Sequence, residues 1–310
     1  MKEWQHDAIA LYLDGDLNTT AIAYLVEKPR TTCRDFLKRY KKAMEVPEES
    51  EYLGVTHMYL PDLQVKPGID MNYLKWIGEY IVRKRPSVII NAGDMADMPS
   101  LSQWDAGTGR AEGKRLQEDI DCVIEANNIL LSPLRKLQAK QKAKGQNVYN
   151  PRMVLTLGNH EDRISRYVNS NPNLQGFVSV DSLKYKEAGW EVVDFLKPII
   201  IDGISYCHYF TNNMTGKPLG GNALNMLKTI GTSFTQGHKQ TLDVATRFLP
   251  SDGKQQWGII AGACYLHEEH YKGHQGNHHW RGVIVKHNVK DGSYDPLFVS
   301  LDWLKKEYDK

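Results

Sequence analysis

The sequence lacks the features of a secreted, membrane-spanning or zinc-finger protein. It has four cysteines, and none of them forms a C-x-x-C pair: Cys33, Cys122, Cys207 and Cys264. This spacing argues against a disulfide framework and a cysteine zinc site, so we expect a reducing, cytoplasmic environment. No apolar run has the length of a bilayer-spanning helix, and no signal segment opens the chain. We therefore expect neither membrane association nor export.

Charge of one sign is not in excess either. The 39 lysines and arginines nearly balance the 37 aspartates and glutamates, which excludes a uniformly basic coat for nucleic acid. Any electrostatic argument for a partner must therefore rest on a local patch. The 310 residues provide room for one large α/β domain and a small appendage.

Three short helices are expected at the N-terminus. Apolar residues recur at helical spacing over 4–13, 19–25 and 31–40, and Asn18 is suited to cap the second helix. This trio, with its tight second turn, resembles a helix-turn-helix, in which the third helix enters the major groove of DNA. Its basic residues could equally form a solvated face or contact a protein. The candidates for DNA contact are Arg30, Arg34, Lys38 and Arg39.

The acidic, proline-containing segment 44–52 is typical of a linker. It separates the helix-turn-helix-like unit, 1–43, from a second domain, 53–310. That domain begins with alternating strand and helix patterns, including a long helix over 113–144, and becomes β-rich later, which predicts an α/β fold. The later strands are expected at 191–196, 198–202, 204–210, 233–236, 257–262, 281–287 and 296–300.

The apolar run 152–157 stops at a glycine and is followed by Asn159 and His160. Poor alternation between apolar and polar residues is typical of a strand that is covered on both faces. Two earlier strands, 55–60 and 87–91, also end in polar residues. In open α/β sheets, ligands bind at the edge where such strands end, so we expect these ends to form one site.

The polar side chains at the strand ends have the composition of a metal site. Carboxylate, imidazole and amide ligands together suit Mn²⁺, Fe²⁺, Zn²⁺ or Mg²⁺. A single carboxylate, such as Asp94, could bridge two ions about 3.5–4 Å apart, which would activate water for phosphoryl displacement. The residues in question are Asp62, Gln64, Asp94, Asp97, Asn159, His160, His208, His238 and Gln240.

On these motifs the chain resembles the calcineurin-like metallophosphoesterases, and its segment 276–282 resembles phage and prophage members of that family. The family pattern D-x-H, G-D-x-x-D, G-N-H-[ED], a lone His and G-H-x-H corresponds to residues 53–300. The resemblance implies a two-sheet αββα sandwich flanked by helices. For a phage-encoded chain, it implies action in the cytoplasm of the host.

The resemblance also implies the roles of these residues. Asp94 would bridge two divalent ions, while His160 would protonate the leaving oxygen and Asp97 would orient its imidazole. A metal-bound hydroxide would attack the phosphorus. We expect Mn²⁺ first, with Mg²⁺, Fe²⁺ or Zn²⁺ as alternatives, and no organic cofactor. The implied metal ligands are Asp62, Gln64 and Gln240 for one ion, Asn159, His208 and His238 for the other, and Asp94 for both.

Two departures from the family pattern affect the same ion. Gln64 stands where the family has the histidine of D-x-H, and Gln240 stands at the last histidine of G-H-x-H. A glutamine can coordinate only through its neutral carbonyl oxygen, which binds Mn²⁺ or Zn²⁺ more weakly than imidazole does. The first site is therefore expected to be weak. The chain would be either an active enzyme with a labile first ion or a one-metal or inactive relative.

Three further residues are candidates for substrate contact: Arg163, Trp104 and His267. Arg163 could approach a phosphate or belong to a solvated face, and Trp104 could stack on a base or cover the domain surface. His267 opens a segment rich in histidine and glycine. This composition favours a loop at the sheet edge over a separate metal site.

The leading hypothesis is a metal-dependent phosphodiesterase that cleaves DNA, with the N-terminal helices supplying DNA affinity. Metal ligands do not distinguish phosphodiesters from monoesters, so a phosphatase of proteins or small nucleotides is an alternative. A third hypothesis is a DNA-binding protein with a vestigial phosphoesterase site, which Gln64 and Gln240 motivate. The sequence assigns no oligomeric state.

Overall fold

The fold is mixed α/β with two sheets. The computed structural model describes residues 2–13, 17–44, 54–269 and 272–309. The chain divides into two compact units, Met1–Glu51 and Tyr52–Lys310. The predicted linker lies outside the described residues, apart from its first position, Met44.

The N-terminal unit is formed by three helices: α1 (Glu3–Leu13), α2 (Thr19–Leu25) and α3 (Arg30–Met44). Asn18 caps α2 as predicted, because its side-chain oxygen accepts hydrogen bonds from two backbone N–H groups of the first turn, at 3.0 and 3.1 Å. Ile22 and Leu37 are buried in a small apolar core between the helices. The helices predicted from 3.6-residue spacing are thus present, and α3 begins one residue earlier and ends later than predicted.

The second unit contains the remaining strands and helices. Its strands are β1 (Val55–Leu60), β2 (Val88–Asn91), β3 (Arg152–Thr156), β4 (Glu191–Val193), β5 (Ile199–Ile201), β6 (Ile204–Tyr206), β7 (Phe234–Gln236), β8 (Leu242–Phe248), β9 (Gln255–Ala261), β10 (Gly282–Lys290) and β11 (Ser293–Ser300). Its helices are α4 (Asn72–Lys84), α5 (Leu116–Ala143), α6 (Asp162–Ser170), α7 (Tyr185–Ala188), α8 (Ala223–Ile230), α9 (Gly273–Gly276) and α10 (Leu301–Tyr308). Within the described ranges, no helix combines the length and apolar character needed to cross a bilayer.

The strands form a six-stranded and a five-stranded sheet. The first has the order β11-β10-β1-β2-β3-β4, and its strands β1 to β4 are parallel. The second has the order β5-β6-β7-β9-β8, and its strands β6, β7 and β9 are parallel. In each sheet the carboxyl ends of the parallel strands therefore meet at one edge, where ligands of α/β proteins bind.

The two sheets pack face to face. One apolar cluster joins Tyr59 and Ile90 of the first sheet to Tyr206 and Ile259 of the second. Helices α4 and α5 cover the other face of the first sheet, and α8 packs on the second sheet. Gly78 lets α4 approach α5 closely, since a Cβ at this position would overlap the backbone of α5. The apolar strands β1 to β3 are consequently covered on both faces, as their sequences predict.

The β-rich half differs from its predicted boundaries. The strand predicted at 204–210 ends at Tyr206, and that predicted at 198–202 is shorter by one residue at each end. Strand β8 is absent from the predicted set because it is an edge strand with half-exposed, partly charged side chains and no apolar run. The predicted long helix begins at Leu116 rather than at residue 113. Helix α10 also has no counterpart among the predicted elements.

Candidate metal centre

The topology brings the predicted strand ends together. Asp62, Asp94 and Asn159 follow the parallel strands β1, β2 and β3, which are neighbours in the first sheet. His208 and His238 follow β6 and β7, which are parallel neighbours in the second sheet. Since the two sheets pack face to face, the site lies where their carboxyl edges meet.

Several site residues have a left-handed backbone. The φ angles are +42° at Gln64, +46° at Asp94, +66° at His238 and +57° at Gln240. Non-glycine residues in this region cost about 1–3 kcal/mol each and persist where surrounding contacts fix them. One such contact is the 2.8 Å hydrogen bond from the N–H group of Gln64 to the carbonyl oxygen of Asp94. Strain concentrated in this way is typical of a functional site.

Four side chains converge on one point, and we call them the Asp94 half of the centre: Asp94, Asn159, His208 and His238. One ligand atom from each of Asp94, His208 and His238 lies within 4.8 Å of the others. The side-chain oxygen of Asn159 lies 2.7 Å from Nδ1 of His238 and 3.0 Å from Nε2 of His208. One carboxylate, two imidazoles and one amide oxygen suit a divalent transition ion, so the Asp94 half fits a metal.

The orientation of His208 identifies its ligand atom. Its Nδ1 lies 2.8 Å from the carbonyl oxygen of Ala92, which can only accept, so Nδ1 carries the proton and donates it. Its Nε2 therefore points into the site, 3.2 Å from Oδ2 of Asp94. Burial opposes protonation, but the Asp94 carboxylate outweighs it and raises the pKa of His208 to about 9. The carboxylate that would bind a cation thus also favours the protonated form of His208.

His238 and Asp94 have pKa shifts that leave both groups ready to bind a cation. Burial, followed by the charge of His208, lowers the pKa of His238 to about 4, so this imidazole is neutral near pH 7. Burial opposes ionisation of Asp94, but the neighbouring His160 and His208 outweigh it and hold the pKa of the carboxyl well below its usual range. Neutral imidazole and ionised carboxylate are the forms that coordinate metals.

The remaining predicted ligands form a second group, which we call the Asp62 half: Asp62, Gln64 and Gln240. Both carboxylate oxygens of Asp62 lie 3.1 Å from the N–H group of His238, and burial raises the pKa of the carboxyl to about 6. Gln64 is fully buried, and among the described residues its carboxamide has no hydrogen-bond partner. Gln240, in contrast, accepts hydrogen bonds from Tyr265 and Lys272 through its side-chain oxygen. The Asp62 half therefore does not present three open ligands.

His160 has the surroundings expected of a general acid. Its Nδ1 lies 2.9 Å from Oδ1 of Asp97 and 2.8 Å from the carbonyl oxygen of the same residue, and Nε2 lies 3.7 Å from Oδ2 of Asp94. Burial disfavours the imidazolium, but the carboxylates of Asp94 and Asp97 outweigh it and raise the pKa of His160. The contact with Asp97 fixes the orientation of the ring, which is the role that the family resemblance implies for this residue.

Arg163 holds the loop after β2 against His160. Its Nη1 donates to the carbonyl oxygens of Asp97, at 2.9 Å, and Met98, at 3.2 Å. Its Nη2 lies 3.4 Å from Nε2 of His160. The side chain is 16% exposed, so it does not belong to the solvated face that the sequence left open. The side chain also lines the cleft described below.

Glu161 has a positioning role that the sequence analysis did not assign. Its buried carboxylate accepts hydrogen bonds from the N–H groups of Asp94 (2.9 Å), Gly158 (2.9 Å) and Ala96 (3.0 Å), and from the hydroxyl of Tyr185 (3.0 Å). It therefore ties the loop after β2 to the loop after β3. The acidic position of the G-N-H-[ED] pattern is the signal that pointed to it.

His267 belongs to a chain of charged contacts that leads to Asp97. Its Nε2 lies 2.7 Å from Oε1 of Glu269, and its ring stacks on Tyr265. The same Glu269 oxygen accepts a 2.7 Å hydrogen bond from Lys66, whose ammonium lies 3.2 Å from Oδ2 of Asp97. The structure thus connects His267 to the carboxylate that orients His160. The predicted contact of His267 with substrate stays a prediction.

A cleft of about 430 Å³ opens beside the Asp94 half. The exposed Trp104, 89% accessible, lies on its wall together with Arg163, so these two predicted substrate residues share one cleft. The ring of Tyr209 also faces it and lies 4.5 Å from that of His238, centroid to centroid. The described residues that line it are Leu101, Gln103, Trp104, Asn159, Asp162, Arg163, Arg166, Tyr167, Ser170, Phe195, Tyr209, Pro218 and His238.

In the N-terminal unit, the predicted DNA-contact residues are exposed: Arg30, Arg34, Lys38 and Arg39. Asp35 neutralises part of this surface, because its carboxylate lies 3.2 Å from Nε of Arg34 and its carbonyl oxygen accepts from Arg39. The net basic surface on α3 is therefore smaller than the count of arginines and lysines suggests.

Comparison with known proteins gives a phage association. No family model matches the chain. The chain is similar to the gene 54 protein of Mycobacterium phage L5, with 25% identity over 210 residues, which are 66% of this chain and 76% of that protein. The similarity links the chain to a phage protein and assigns it no activity.

Proposed function

We propose that this protein is a divalent-metal-dependent phosphodiesterase of the calcineurin-like type, and that it cleaves DNA. The observation that carries the proposal is the convergence of Asp94, His208 and His238 at the carboxyl edges of two packed sheets. The αββα arrangement of the second unit agrees with that family. Similarity to a phage protein supports a phage-encoded enzyme that acts in the host cytoplasm.

The Asp94 half would hold the metal ion through Oδ2 of Asp94, Nε2 of His208, Nδ1 of His238 and the side-chain oxygen of Asn159. When bound, such an ion supplies Lewis-acid polarisation of a phosphoryl group and activation of water. The protein provides the fixed geometry, because Glu161 clamps the loops that carry Asp94 and Asn159. Such preorganisation removes the need for the site to rearrange during reaction.

His160 would supply the proton for the leaving oxygen. Its Nδ1–H is fixed on Asp97, which leaves Nε2 as the atom that faces the site. The carboxylates of Asp94 and Asp97 raise the pKa of the imidazole against the effect of burial, which favours the protonated form that a general acid requires. Arg163, whose Nη2 lies beside His160, would attract a phosphate oxygen at the same place.

The cleft favours a nucleic-acid substrate over a small monoester. Trp104, Tyr167 and Tyr209 offer aromatic faces, and Arg163 and Arg166 offer positive charge, which together suit a single strand whose bases stack while its backbone is neutralised. The basic helix α3 would add affinity that is independent of base sequence.

The test is hydrolysis with Mn²⁺ of labelled single- and double-stranded DNA, bis(p-nitrophenyl) phosphate and p-nitrophenyl phosphate. We expect cleavage of DNA and of the diester, and loss of both in Asp94→Asn but not in the exposed control Asp302→Asn. Cleavage confined to the monoester would support the phosphatase alternative. Absence of both bound metal and hydrolysis would support the hypothesis of a DNA-binding protein with a vestigial phosphoesterase site.

Leaving-group dependence tests the role of His160. A general acid contributes about 10²–10⁴-fold when the leaving oxygen is basic. We therefore expect His160→Gln to slow cleavage of DNA, whose leaving group is an alkoxide, far more than cleavage of bis(p-nitrophenyl) phosphate, which releases a weakly basic phenolate. An equal loss on both substrates would exclude proton donation by His160.

A further inference from the structure

The Asp62 half contains a positive charge of its own. The ammonium group of Lys272 donates to the side-chain oxygen of Gln240 and lies 3.1 Å from the hydroxyl of Tyr265. It also lies 5.8 Å from the centre of the Tyr265 ring, within the range of a cation–π contact. Lys272 thus reaches the residue that stands at the last position of the family's G-H-x-H motif.

Gln240 cannot serve a metal in this arrangement. A carboxamide oxygen has two lone pairs, and the hydroxyl of Tyr265, at 2.8 Å, and the ammonium of Lys272 use both. Its remaining atoms are donors, which metals do not bind. A divalent ion in the Asp62 half would therefore have to displace Lys272 and would otherwise be repelled by it.

Asp62 and Gln64 alone are a poor site. Asp62 is buried and offers one negative charge, while Gln64 offers one neutral oxygen. A divalent ion normally takes four or more ligands, so this pair, even with Asp94 as a bridging ligand, leaves the coordination sphere incomplete. A buried carboxylate still requires a positive neighbour, and the ammonium of Lys272 interacts electrostatically with Asp62, so the chain itself supplies such a cation.

We propose that the centre binds a single divalent ion, in the Asp94 half, and that the ammonium of Lys272 replaces the second ion in the Asp62 half. This inference rests on the proposed function and deepens it. Asp62 then has a cationic neighbour with or without substrate. Lys272 would meet a phosphate oxygen of the substrate as a point charge, where a second metal would otherwise do so.

The first experiment measures metal stoichiometry rather than activity. Equilibrium dialysis against Mn²⁺, with elemental analysis, should give one ion per chain at saturation, and electron paramagnetic resonance should show an isolated Mn²⁺ spectrum. Two bound ions with an exchange-coupled spectrum would overturn the inference and leave the proposed function intact. No bound ion at all would refute both.

The second experiment restores the missing ligands. The triple variant Gln64→His, Gln240→His, Lys272→Met should bind two ions and give the exchange-coupled spectrum, whereas the exposed-lysine control Lys254→Met should bind one. If the triple variant keeps a native circular dichroism spectrum and still binds one ion, Lys272 and the two glutamines do not determine the stoichiometry.

The third experiment isolates Lys272. Removing one preorganised electrostatic group commonly costs about 10²–10³-fold in rate. Lys272→Met should therefore lower kcat/KM for bis(p-nitrophenyl) phosphate by about 100-fold while one Mn²⁺ stays bound, and Lys272→Arg should recover part of the loss. Unchanged activity in Lys272→Met would overturn the assignment.

Discussion

In the Asp94 half of the centre, donor atoms from four side chains lie side by side, whereas in the Asp62 half the donors are buried or turned toward protein partners. Asn159 and His238 approach to 2.7 Å, while Gln240 is saturated by Tyr265 and Lys272. Both halves carry strained backbone, but Asn159 and His238 are partly exposed, whereas Asp62, Gln64 and Gln240 are all buried. What sets the Asp62 half apart is that two of its side chains, Gln64 and Gln240, are glutamines at positions where the family pattern has histidines.

If Lys272 replaces the second ion as proposed, the charge of the site is kept although its ligands have changed. A calcineurin-like enzyme would place two histidines and a divalent ion beside Asp62, whereas in our proposal two glutamines and the ammonium of Lys272 take those places in this chain. Each arrangement places a cation near the buried carboxylate. Loss of metal ligands therefore does not by itself mean that the site has lost its function.

The largest expected effect separates the two halves directly. His208→Ala removes a metal ligand and should abolish Mn²⁺ binding and lower phosphodiester hydrolysis by more than about 100-fold, the upper end of losses from changes outside the ligand shell. Gln240→Ala should leave one Mn²⁺ bound, with about tenfold lower activity, since Lys272 loses an anchor but keeps its charge. Equal effects of the two substitutions on Mn²⁺ binding would contradict the proposal that only the Asp94 half binds a metal ion.

The next prediction concerns Glu161, whose carboxylate joins the two loops that carry Asp94 and Asn159. Glu161→Gln places an amide group against backbone donors and should lower the free energy of unfolding by about 2–3 kcal/mol. It should also weaken Mn²⁺ binding by about 10–100-fold. Chemical denaturation and metal titration measure these effects.

The matched control is Tyr185→Phe, which removes one of the four hydrogen bonds to Glu161 and should cost about 1 kcal/mol with little effect on metal affinity. If both variants bind Mn²⁺ like the wild type, Glu161 supports the fold without positioning the ligands.

Lys286 is a fully buried reference for Lys272, which is only partly buried. Lys286 is fully buried between the sheets, and burial lowers its pKa well below the usual value. Its ammonium donates to the hydroxyl of Tyr206 at 3.1 Å and to that of Thr235 at 2.5 Å, so its hydrogen-bond partners among the described residues are hydroxyls rather than carboxylates. The titratable groups around it are Tyr59, Tyr206, Tyr294 and His57.

The sign of the pH dependence follows from the lowered pKa. Between the folded pKa and about 10.4, the unfolded chain binds a proton that the folded chain does not, so stability rises with pH by up to about 1.4 kcal/mol per unit. Lys286→Met should be more stable than the wild type near pH 7, and this advantage should shrink toward pH 9.5, about one unit below the unfolded pKa. The exposed control Lys290→Met should show no such trend in urea denaturation.

The smallest expected effect lies in the N-terminal unit. Arg30→Ala with Lys38→Ala should reduce the slope of log affinity for DNA against log salt by about 2, because each phosphate contact contributes about 0.9. The variant should hydrolyse bis(p-nitrophenyl) phosphate like the wild type, since this substrate needs only the metal centre. Lys305→Ala with Lys306→Ala, on α10, is the control for loss of two exposed charges.

Much of the site could be predicted because its residues follow apolar strands. In the sequence, apolar runs that stop at polar residues predict the ends of β1, β2 and β3. Parallel pairing of these strands brings their ends together. The cap at Asn18 is a local interaction and was equally visible. Edge strand β8 was not, because its half-buried side chains give no apolar run.

Lys272 could not be predicted from the sequence. It lies in a histidine- and glycine-rich loop far along the chain from Asp62 and Gln64, and no local pattern shows which sheet edge such a loop covers. The pairing of Lys66 with Glu269, 203 positions apart, could not be predicted for the same reason. Contacts between distant loops depend on how the sheets pack, which periodicity does not encode.

The most direct test of the central claim is reconstitution of chelator-treated protein with Mn²⁺ while bound metal and hydrolysis of bis(p-nitrophenyl) phosphate are followed together. We expect no hydrolysis without metal and a linear recovery that reaches its plateau at one bound ion per chain. Hydrolysis that survives metal removal, or a plateau reached only at two bound ions, would contradict this account.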